Sequence, residues 1–250
     1  MIKEFTYKGY TSLLETALAN KYAFISFTEA KSTAEKFCML RHDVDADLKA
    51  AHEMATIEAG LNIKSTYFIM LRSPIYNLFS RSNHDLLKKI INLGHNIGLH
   101  FDEAFKAKDK DLNDLINEEA LIIEKMFDKK INVVSFHQPG PKIISNEIKI
   151  SNFINTYDKK DLEGIHYISD SNKVWKNETP WETFETSGFK KLHLLIHPMW
   201  WMLDKEDSTE NIWTKTIINN LKREQEQVYT TERAYGVKRE FIIKPSDKTN

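Results

Sequence analysis

Five short apolar runs in this chain each end in polar side chains that can carry chemistry. Buried strands that stop at such residues, with helical segments between them, are typical of a parallel α/β barrel. The functional groups of such a barrel collect at the carboxyl ends of its strands. Residues 38–40 run into Arg41, His42, Asp43 and Asp45, residues 96–99 into His100 and Asp102, residues 133–136 into His137 and Gln138, residues 167–169 into Asp170, and residues 192–196 into His197.

The spacing of apolar residues between these runs predicts helices. The predicted fold is therefore α/β, a distorted (β/α) barrel of about seven parallel strands. Residues 82–85 are expected to form a capping box, Gly60 to follow the end of one helix as its C′ residue, Gly94 to stop another helix, and residues 175–188 to be a loop. Helices are predicted at 10–19, 46–59, 82–93, 112–126, 146–155 and 209–227, and strands at 22–27, 37–42, 65–70, 95–100, 131–137, 165–170 and 192–197.

Length and composition fit one large domain, because the chain has 250 residues of which 41% are hydrophobic. We expect a single domain over 1–250, with an N-terminal extension at 1–36 and a polar tail at 244–250. The formal net charge of −1 and the scattered basic residues predict no nucleic-acid partner. Cys38 is the single cysteine, which excludes an intramolecular disulfide and a cysteine-rich zinc site. The sequence has no apolar run of ~18 residues and no apolar signal-peptide core, so a cytoplasmic protein without a membrane span is expected.

Asp43 and Asp45 form the first candidate group. Residues two apart on an extended segment point the same way, so both carboxylates can face one site. Such a pair offers one metal ligand and one general base. The alternative is that Asp45 caps the following helix. Arg41 and His42 beside the pair add two more polar groups at the end of a buried strand, which favours a functional site.

The other strand ends supply histidines. His100 can bind a cation such as Zn²⁺ through a neutral imidazole, with Asp102 as its hydrogen-bond partner or a further ligand. His137 fits a ligand, a substrate contact or a turn residue. His197 fits an acid group beside an aromatic sugar platform that includes Trp200, although tryptophan is also common in cores. Asp170 is by itself a weak signal, because Asp is a common turn residue.

Together these positions, over about residues 37–201, resemble the motifs of the polysaccharide deacetylase superfamily, the NodB-homology fold of carbohydrate esterase family four. The resemblance implies that Asp43 is the catalytic base and that Asp45 is a metal ligand. The segment Gly-His-Asn-Ile-Gly-Leu-His at 94–100 is similar to the second motif, which implies that His100 is a metal ligand. The segment Leu-Ile-His at 195–197 resembles the last motif and implies that His197 is the catalytic acid.

Two departures from the family pattern stand out. The family places an arginine before the proline of its third motif, where this chain has Gln138. It also places a second metal histidine at the position of Ala104. Either the third ligand comes from His137, Asp102 or Glu103, with His137 favoured, or the metal site is lost.

The resemblance implies one divalent metal ion, taken to be zinc, and hydrolysis of the acetamide on an N-acetylated sugar. The segments Arg-His-Asp-Val-Asp, Gly-Leu-His-Phe-Asp and His-Pro-Met-Trp-Trp are similar to a divergent branch associated with surface-polysaccharide biosynthesis, of O-antigen or capsule. The substrate is then a nucleotide- or lipid-linked sugar, with contacts expected from Arg41, His42, Asp102, Gln138, Asp170 and Trp200. Two alternatives stay open: cleavage of a formamide or ureido C–N bond, and an inert sugar-binding or scaffold protein.

Overall fold

The structure is a computed structural model that describes residues 2–30, 32, 36–106, 110–232 and 234. The predicted polar tail at 244–250 lies outside these residues. The strands are β1 (Ala23–Phe24), β2 (Phe37–Val44), β3 (Thr66–Ile69), β4 (Asn96–Asp102), β5 (Val133–His137), β6 (Ile154–Asn155), β7 (His166–Ser169) and β8 (Lys191–Ile196). The helices are α1 (Tyr7–Ala19), α2 (Leu48–Gly60), α3 (Arg81–Asn92), α4 (Leu112–Phe127), α5 (Pro141–Ile144), α6 (Pro180–Thr186) and α7 (Thr209–Thr231).

One parallel sheet organises the described chain. Its strands run in the order β6-β5-β4-β3-β2-β8-β7, and β1 pairs with the start of β2. The sheet curls into a partial barrel, and within the described residues β6 and β7 do not pair. The predicted α/β distorted barrel is therefore confirmed. Among the same residues, no helix combines the length and apolar character needed to cross a bilayer.

The alternation of side chains along β2 separates the barrel interior from the helix-covered outside. Phe37 and Met39 pack in the interior cluster, whereas Cys38 and Leu40 pack in the cluster that includes residues of α1 and α6. Because successive side chains of a strand point to opposite faces, the odd-numbered residues of β2 face the interior. By the same alternation Asp43 faces the interior and His42 faces the helices.

Four local predictions are wrong. Asp47, not Asp45, caps α2, and its carboxylate accepts from Lys49 N at 2.9 Å. Gly60 is the last residue of α2 rather than the residue after it, since Leu61 is the C-cap. The capping box at 82–85 is absent from α3, which begins at Arg81 after Ser80 with no side-chain cap. Residues 175–188 are not all loop, because α6 begins there with a capping box of Thr179 and Glu182.

The predicted helix at 146–155 is also wrong. Asn146 and Asn152 both adopt positive φ angles, of 63° and 69°, which interrupt a right-handed helix. The segment instead ends in β6, which pairs with β5. Gly94 ends its helix as predicted, with a φ of 93° that favours glycine.

Candidate active site

A cavity of about 520 Å³ lies at the carboxyl ends of the strands. Both Asp43 and Asp45 face it, as do His100, His137 and His197 at the carboxyl ends of three other strands. The structure therefore brings these predicted side chains into one cavity. The cavity is lined by Asp43, Asp45, His100, Phe136, His137, Gln138, Pro139, Tyr157, Ser171, Asn172, Leu195, His197, Trp200, Thr209, Glu210 and Trp213.

Three of these side chains can hold a metal ion. One donor atom from each of Asp45, His100 and His137 lies within 4.8 Å of the other two. Asp45 Oδ1 is 3.0 Å from His100 Nε2 and 3.5 Å from His137 Nδ1. In a tetrahedral zinc site, metal–ligand bonds of about 2 Å place neighbouring donors roughly 3.3 Å apart. The spacing and the set of one oxygen and two nitrogens therefore fit a divalent ion.

The surroundings of Asp45 also suit a cation. Asp45 Oδ1 is buried, and among the described residues no donor meets it in hydrogen-bonding geometry. Burial alone would raise the pKa of Asp45, but the facing imidazoles of His100 and His137 hold it well below its usual range. Asp45 is therefore an ionised carboxylate whose Oδ1 faces the two imidazoles that complete the donor set.

Ser135 fixes the orientation of His100. It lies directly opposite His100 in the register of β4 and β5, and its Oγ is 2.6 Å from His100 Nδ1. This contact leaves Nε2 facing Asp45. Hydrogen-bond partners of this kind set ring orientation and donor strength at metal sites. Ser135 was missed at the sequence level, although it lies two residues before His137 and so shares its face of the strand.

Arg41 is fully buried and forms a bidentate ion pair with Asp43. Arg41 Nε donates to Asp43 Oδ1 at 2.8 Å, and a terminal nitrogen donates to Oδ2 at 2.7 Å. Burial alone would raise the pKa of Asp43, but the Arg41 guanidinium lowers it. Asp43 is therefore ionised, and its Oδ2 lies 3.7 Å from His100 Nε2.

Asp170 holds His197 toward the site. The backbone N–H of His197 and its Nδ1–H both donate to the Asp170 carboxylate, the latter at 2.6 Å. Trp201 Nε1–H donates to the same group at 2.7 Å. Burial lowers the pKa of His197, but the charge and hydrogen bond of Asp170, together with the charges of Asp45 and Asp43, raise it to about 9. The free Nε2 lies 3.8 Å from Asp45 Oδ2, so a protonated imidazole faces the candidate metal site.

Comparison with known proteins finds similarity only at the level of structure. No family model and no curated protein matches the chain. A carbohydrate esterase family four pseudoenzyme from Bacillus anthracis is 12% identical, with a TM-score of 0.44 over 76% of this chain and 62% of that one. An acetyl xylan esterase of the same family from Clostridium thermocellum, bound to cobalt, is 14% identical, with a TM-score of 0.43 over 77% and 90%.

The catalytic domain of a peptidoglycan N-acetylglucosamine deacetylase from Eubacterium rectale is 14% identical, with a TM-score of 0.43 over 82% of this chain and 90% of that one. The first two structures carry the name of the family that the sequence motifs resemble. This chain spans less than two thirds of the pseudoenzyme's length. The reaction is therefore inferred below from the geometry of the site.

The six residues predicted to contact substrate divide into three groups. Gln138 and Trp200 line the cavity, as a substrate contact requires. Arg41 and Asp170 are fully buried behind it and hold Asp43 and His197, so their predicted substrate contact is wrong.

His42 and Asp102 make the third group, and neither lines the cavity. His42 points to the outer face of β2, where its Nε2 pairs with the buried Glu58 at 2.6 Å. Asp102 caps the turn Glu103–Phe105, because its carboxylate accepts from Ala104 N at 2.9 Å.

Two aromatic residues of the cavity lining, Tyr157 and Trp213, were missed as site residues at the sequence level. Trp213, near the start of α7, lies edge-to-face with Trp200 at a centroid distance of 6.1 Å. Trp201, by contrast, is fully buried in the core. Tyr157 lines the cavity beside Arg41 and accepts a hydrogen bond from it at 3.2 Å. The helical spacing of 209–227 placed Trp213 on the apolar side of a helix but gave no sign that this end of α7 meets the strand ends.

Proposed function

We propose that this protein is a metal-dependent amide hydrolase that removes the acetyl group from an N-acetylated sugar. The observation that carries the proposal is the convergence of three kinds of group in one cavity. These are an ionised carboxylate outside the ligand set, a protonated imidazole, and a one-oxygen, two-nitrogen donor set. Hydrolysis of an amide needs a base, an acid and a polarising group, and here each can be assigned to a different side chain.

The ligands in this proposal are Asp45, His100 and His137, and the ion is zinc, which favours such donors. A zinc ion held there would polarise the amide carbonyl and lower the pKa of a water molecule. Asp43 accepts a proton from the attacking water. His197 donates its Nε2 proton to the nitrogen that leaves as the sugar amine. Water is thereby divided between the products, acetate and a free amine.

The proposed substrate is an N-acetylated sugar carried on a nucleotide or a lipid, within surface-polysaccharide biosynthesis. The walls suit a sugar, because Trp200 and Trp213 supply apolar surface while Gln138, Ser171 and Asn172 supply hydrogen-bonding groups. The biosynthetic setting rests on the motif resemblance. The proposal also includes the cytoplasmic location expected from the sequence. A volume of about 520 Å³ accommodates a ligand of small-molecule size.

The test is a steady-state assay of acetate release from a panel of N-acetylated nucleotide- and lipid-linked sugars, with zinc content measured on the same samples. Asp43→Asn and His197→Ala should each lower turnover by about 10²-fold or more, the usual loss for a general base or acid, while zinc stays bound. His52, which lies on α2 outside the cavity, supplies the control His52→Ala, which should retain full turnover.

The alternatives give different results in the same assay. Release of formate from formamides, or of ammonia and carbonate from ureido sugars, without acetate release would identify another C–N hydrolase. Stoichiometric zinc without turnover on any of these substrates would instead identify an inert binding protein. Near-normal turnover in Asp43→Asn or His197→Ala would remove that residue from the mechanism.

A further inference from the structure

Two carboxylates compete for any cation in this cavity. Asp43 and Asp45 come from one end of β2, and both line the cavity. Each also lies near His100 Nε2, at 3.7 Å from Asp43 Oδ2 and 3.0 Å from Asp45 Oδ1. On distance to this imidazole alone, either carboxylate can join the ligand set. The reaction requires that one of them stay out of it and act as a base.

The two carboxylates differ in their hydrogen bonds. Both oxygens of Asp43 accept from Arg41, in the paired geometry that makes arginine–carboxylate contacts strong and directional. Asp45 Oδ1, by contrast, faces the imidazoles of His100 and His137 at 3.0 and 3.5 Å, and these are the other two proposed ligands. An ionised carboxylate offers about four acceptor positions, so Asp43 keeps lone pairs for a proton after binding Arg41.

The position of Arg41 is itself fixed by its neighbours. Its guanidinium lies over the rings of Phe68 and Tyr157, at 5.3 and 5.2 Å from their centroids. The hydroxyl of Tyr157 accepts from Arg41 at 3.2 Å and donates to Phe136 O at 3.4 Å. With the side chain fully buried between these groups, Arg41 cannot leave Asp43 without vacating a packed site.

We propose that Arg41 decides which carboxylate binds the cation: it donates to both oxygens of Asp43, places a fixed positive charge beside them, and so leaves Asp45 as the carboxylate ligand. A guanidinium beside Asp43 also repels a divalent ion from that carboxylate, since like charges at short range oppose each other most strongly in a buried setting. Arg41 is thus a positioning residue that separates the roles of base and ligand. This inference rests on the proposed function for its metal site.

The experiment measures zinc affinity of the purified, metal-stripped full chain by competition with a chromophoric chelator. Asp45→Asn should weaken zinc binding by about 10²-fold or more, because it removes a ligand. Adding Arg41→Met to Asp45→Asn should free Asp43 to act as a substitute ligand. The double variant should therefore bind zinc at least about tenfold more tightly than Asp45→Asn. Arg72, which pairs with Glu119 outside the cavity, supplies the control Arg72→Met in the same background, which should restore none.

Folding is checked on every variant by circular dichroism and thermal melting. If Arg41→Met/Asp45→Asn does not fold, Arg41→Lys/Asp45→Asn replaces it, because lysine keeps the charge but cannot bind both oxygens at once. The lysine variant should also bind zinc more tightly than Asp45→Asn alone. A folded Arg41 double variant that binds zinc no more tightly than Asp45→Asn would overturn the proposal.

Failure of the proposed function would look different. Acetate release is measured on the same samples and has no bearing on the order of zinc affinities. A wild-type protein that releases no acetate, while the zinc affinities follow the expected order, would refute the deacetylase proposal and leave the role of Arg41 intact. The reverse pattern would retain the enzyme and reject Arg41 as the selecting residue.

Discussion

At the scale of single residues, the contact between Asp170 and His197 sets the acid of the site. Asp170 is fully buried and accepts from two donors of His197 and from Trp201 Nε1. Burial alone would lower the pKa of His197, so its rise to about 9 depends on the surrounding carboxylates, among which Asp170 contributes most. His197 is therefore protonated at neutral pH in the metal-free protein.

Asp170→Asn tests this dependence. The amide keeps the shape of the side chain but removes its charge, so the pKa of His197 should fall toward its ordinary value. Because the acid must be protonated to act, the alkaline limb of the pH profile of kcat/KM should move to lower pH by about one unit or more. An alkaline limb that stays in place would show that the Asp170 charge does not set the acid.

The role of a residue was predictable where the alternation of side chains along a strand decides which way that residue points. Asp43 and Asp45 share a face because they are two residues apart, and His42 between them must face the other way. The alternation alone therefore argues against the expected contact between His42 and the substrate. Arg41 lies two residues before Asp43 and so on the same face, which makes their contact a local one. The role of Asp170 was not predictable, because only tertiary packing brings it within hydrogen-bonding distance of His197.

At the scale of elements, β4 depends on a close approach that only glycine permits. A Cβ at Gly98 would lie 2.7 Å from two ring carbons of Phe68 and 3.1 Å from a methyl group of Val133. The side chain of Phe68 is fully buried in the interior cluster, so it cannot move aside freely. A side chain at position 98 would therefore force one of these neighbours to move.

Gly98→Ala should lower the free energy of unfolding by about 1–3 kcal/mol, the usual cost of overpacking a core. Gly60→Ala is the matched control, because nothing lies within 4 Å of a Cβ at that position at the end of α2. The control should be neutral or stabilise by up to about 1 kcal/mol, since alanine is the better helix former. Urea unfolding measures both, and equal values for the two variants would contradict the packing argument.

Elements with a clear period were predicted well, and short irregular ones were not. The helix predicted at 112–126 matches α4. The strands predicted at 37–42, 131–137 and 192–197 match β2, β5 and β8 to within two or three residues at each end. The failure at 146–155 came from two asparagines with a left-handed backbone, one of which directly follows the C-cap of α5. The capping box of α6 was present in the sequence as Thr179 and Glu182, but the helix it begins is only seven residues long.

At the scale of the whole molecule, one buried polar cluster ties several elements together. The carboxylate of Glu58 on α2 pairs with His42 and accepts from Tyr10 of α1 and from Ser65 and Tyr67 around β3. All of these side chains are almost completely buried. Burial alone would raise the pKa of Glu58, but the facing histidines lower it.

Glu58→Gln should destabilise the protein by about 3–5 kcal/mol at neutral pH, because it leaves the rest of a buried ionic cluster unpaired. Since folding lowers the pKa of Glu58, its stabilisation is complete above the ordinary value and is lost as pH falls through the lowered one. The difference from wild type in urea unfolding should therefore shrink in acid. Glu118→Gln, at an exposed pair with Lys110, should cost at most about 1 kcal/mol.

The barrel architecture was predictable because its signal is repeated in five strands, and each repeat ends in a polar group. The closure of the barrel was not, since it depends on whether β6 and β7 meet. The donor set at the centre was predicted as one of several options, because Ala104 left the third ligand open. The distance of His137 from Asp45 favours it over Glu103, whose carboxylate accepts from Gly140 N.

The most direct test of the account is the zinc content of protein purified without a histidine tag from metal-replete medium. Wild type should hold one zinc ion per chain, and Asp45→Asn, His100→Ala and His137→Ala should each lose it. Asp43→Asn and His197→Ala should keep it. Zinc that survives all three ligand changes, or a metal-free wild type, would contradict the assignment of Asp45, His100 and His137 as the metal site.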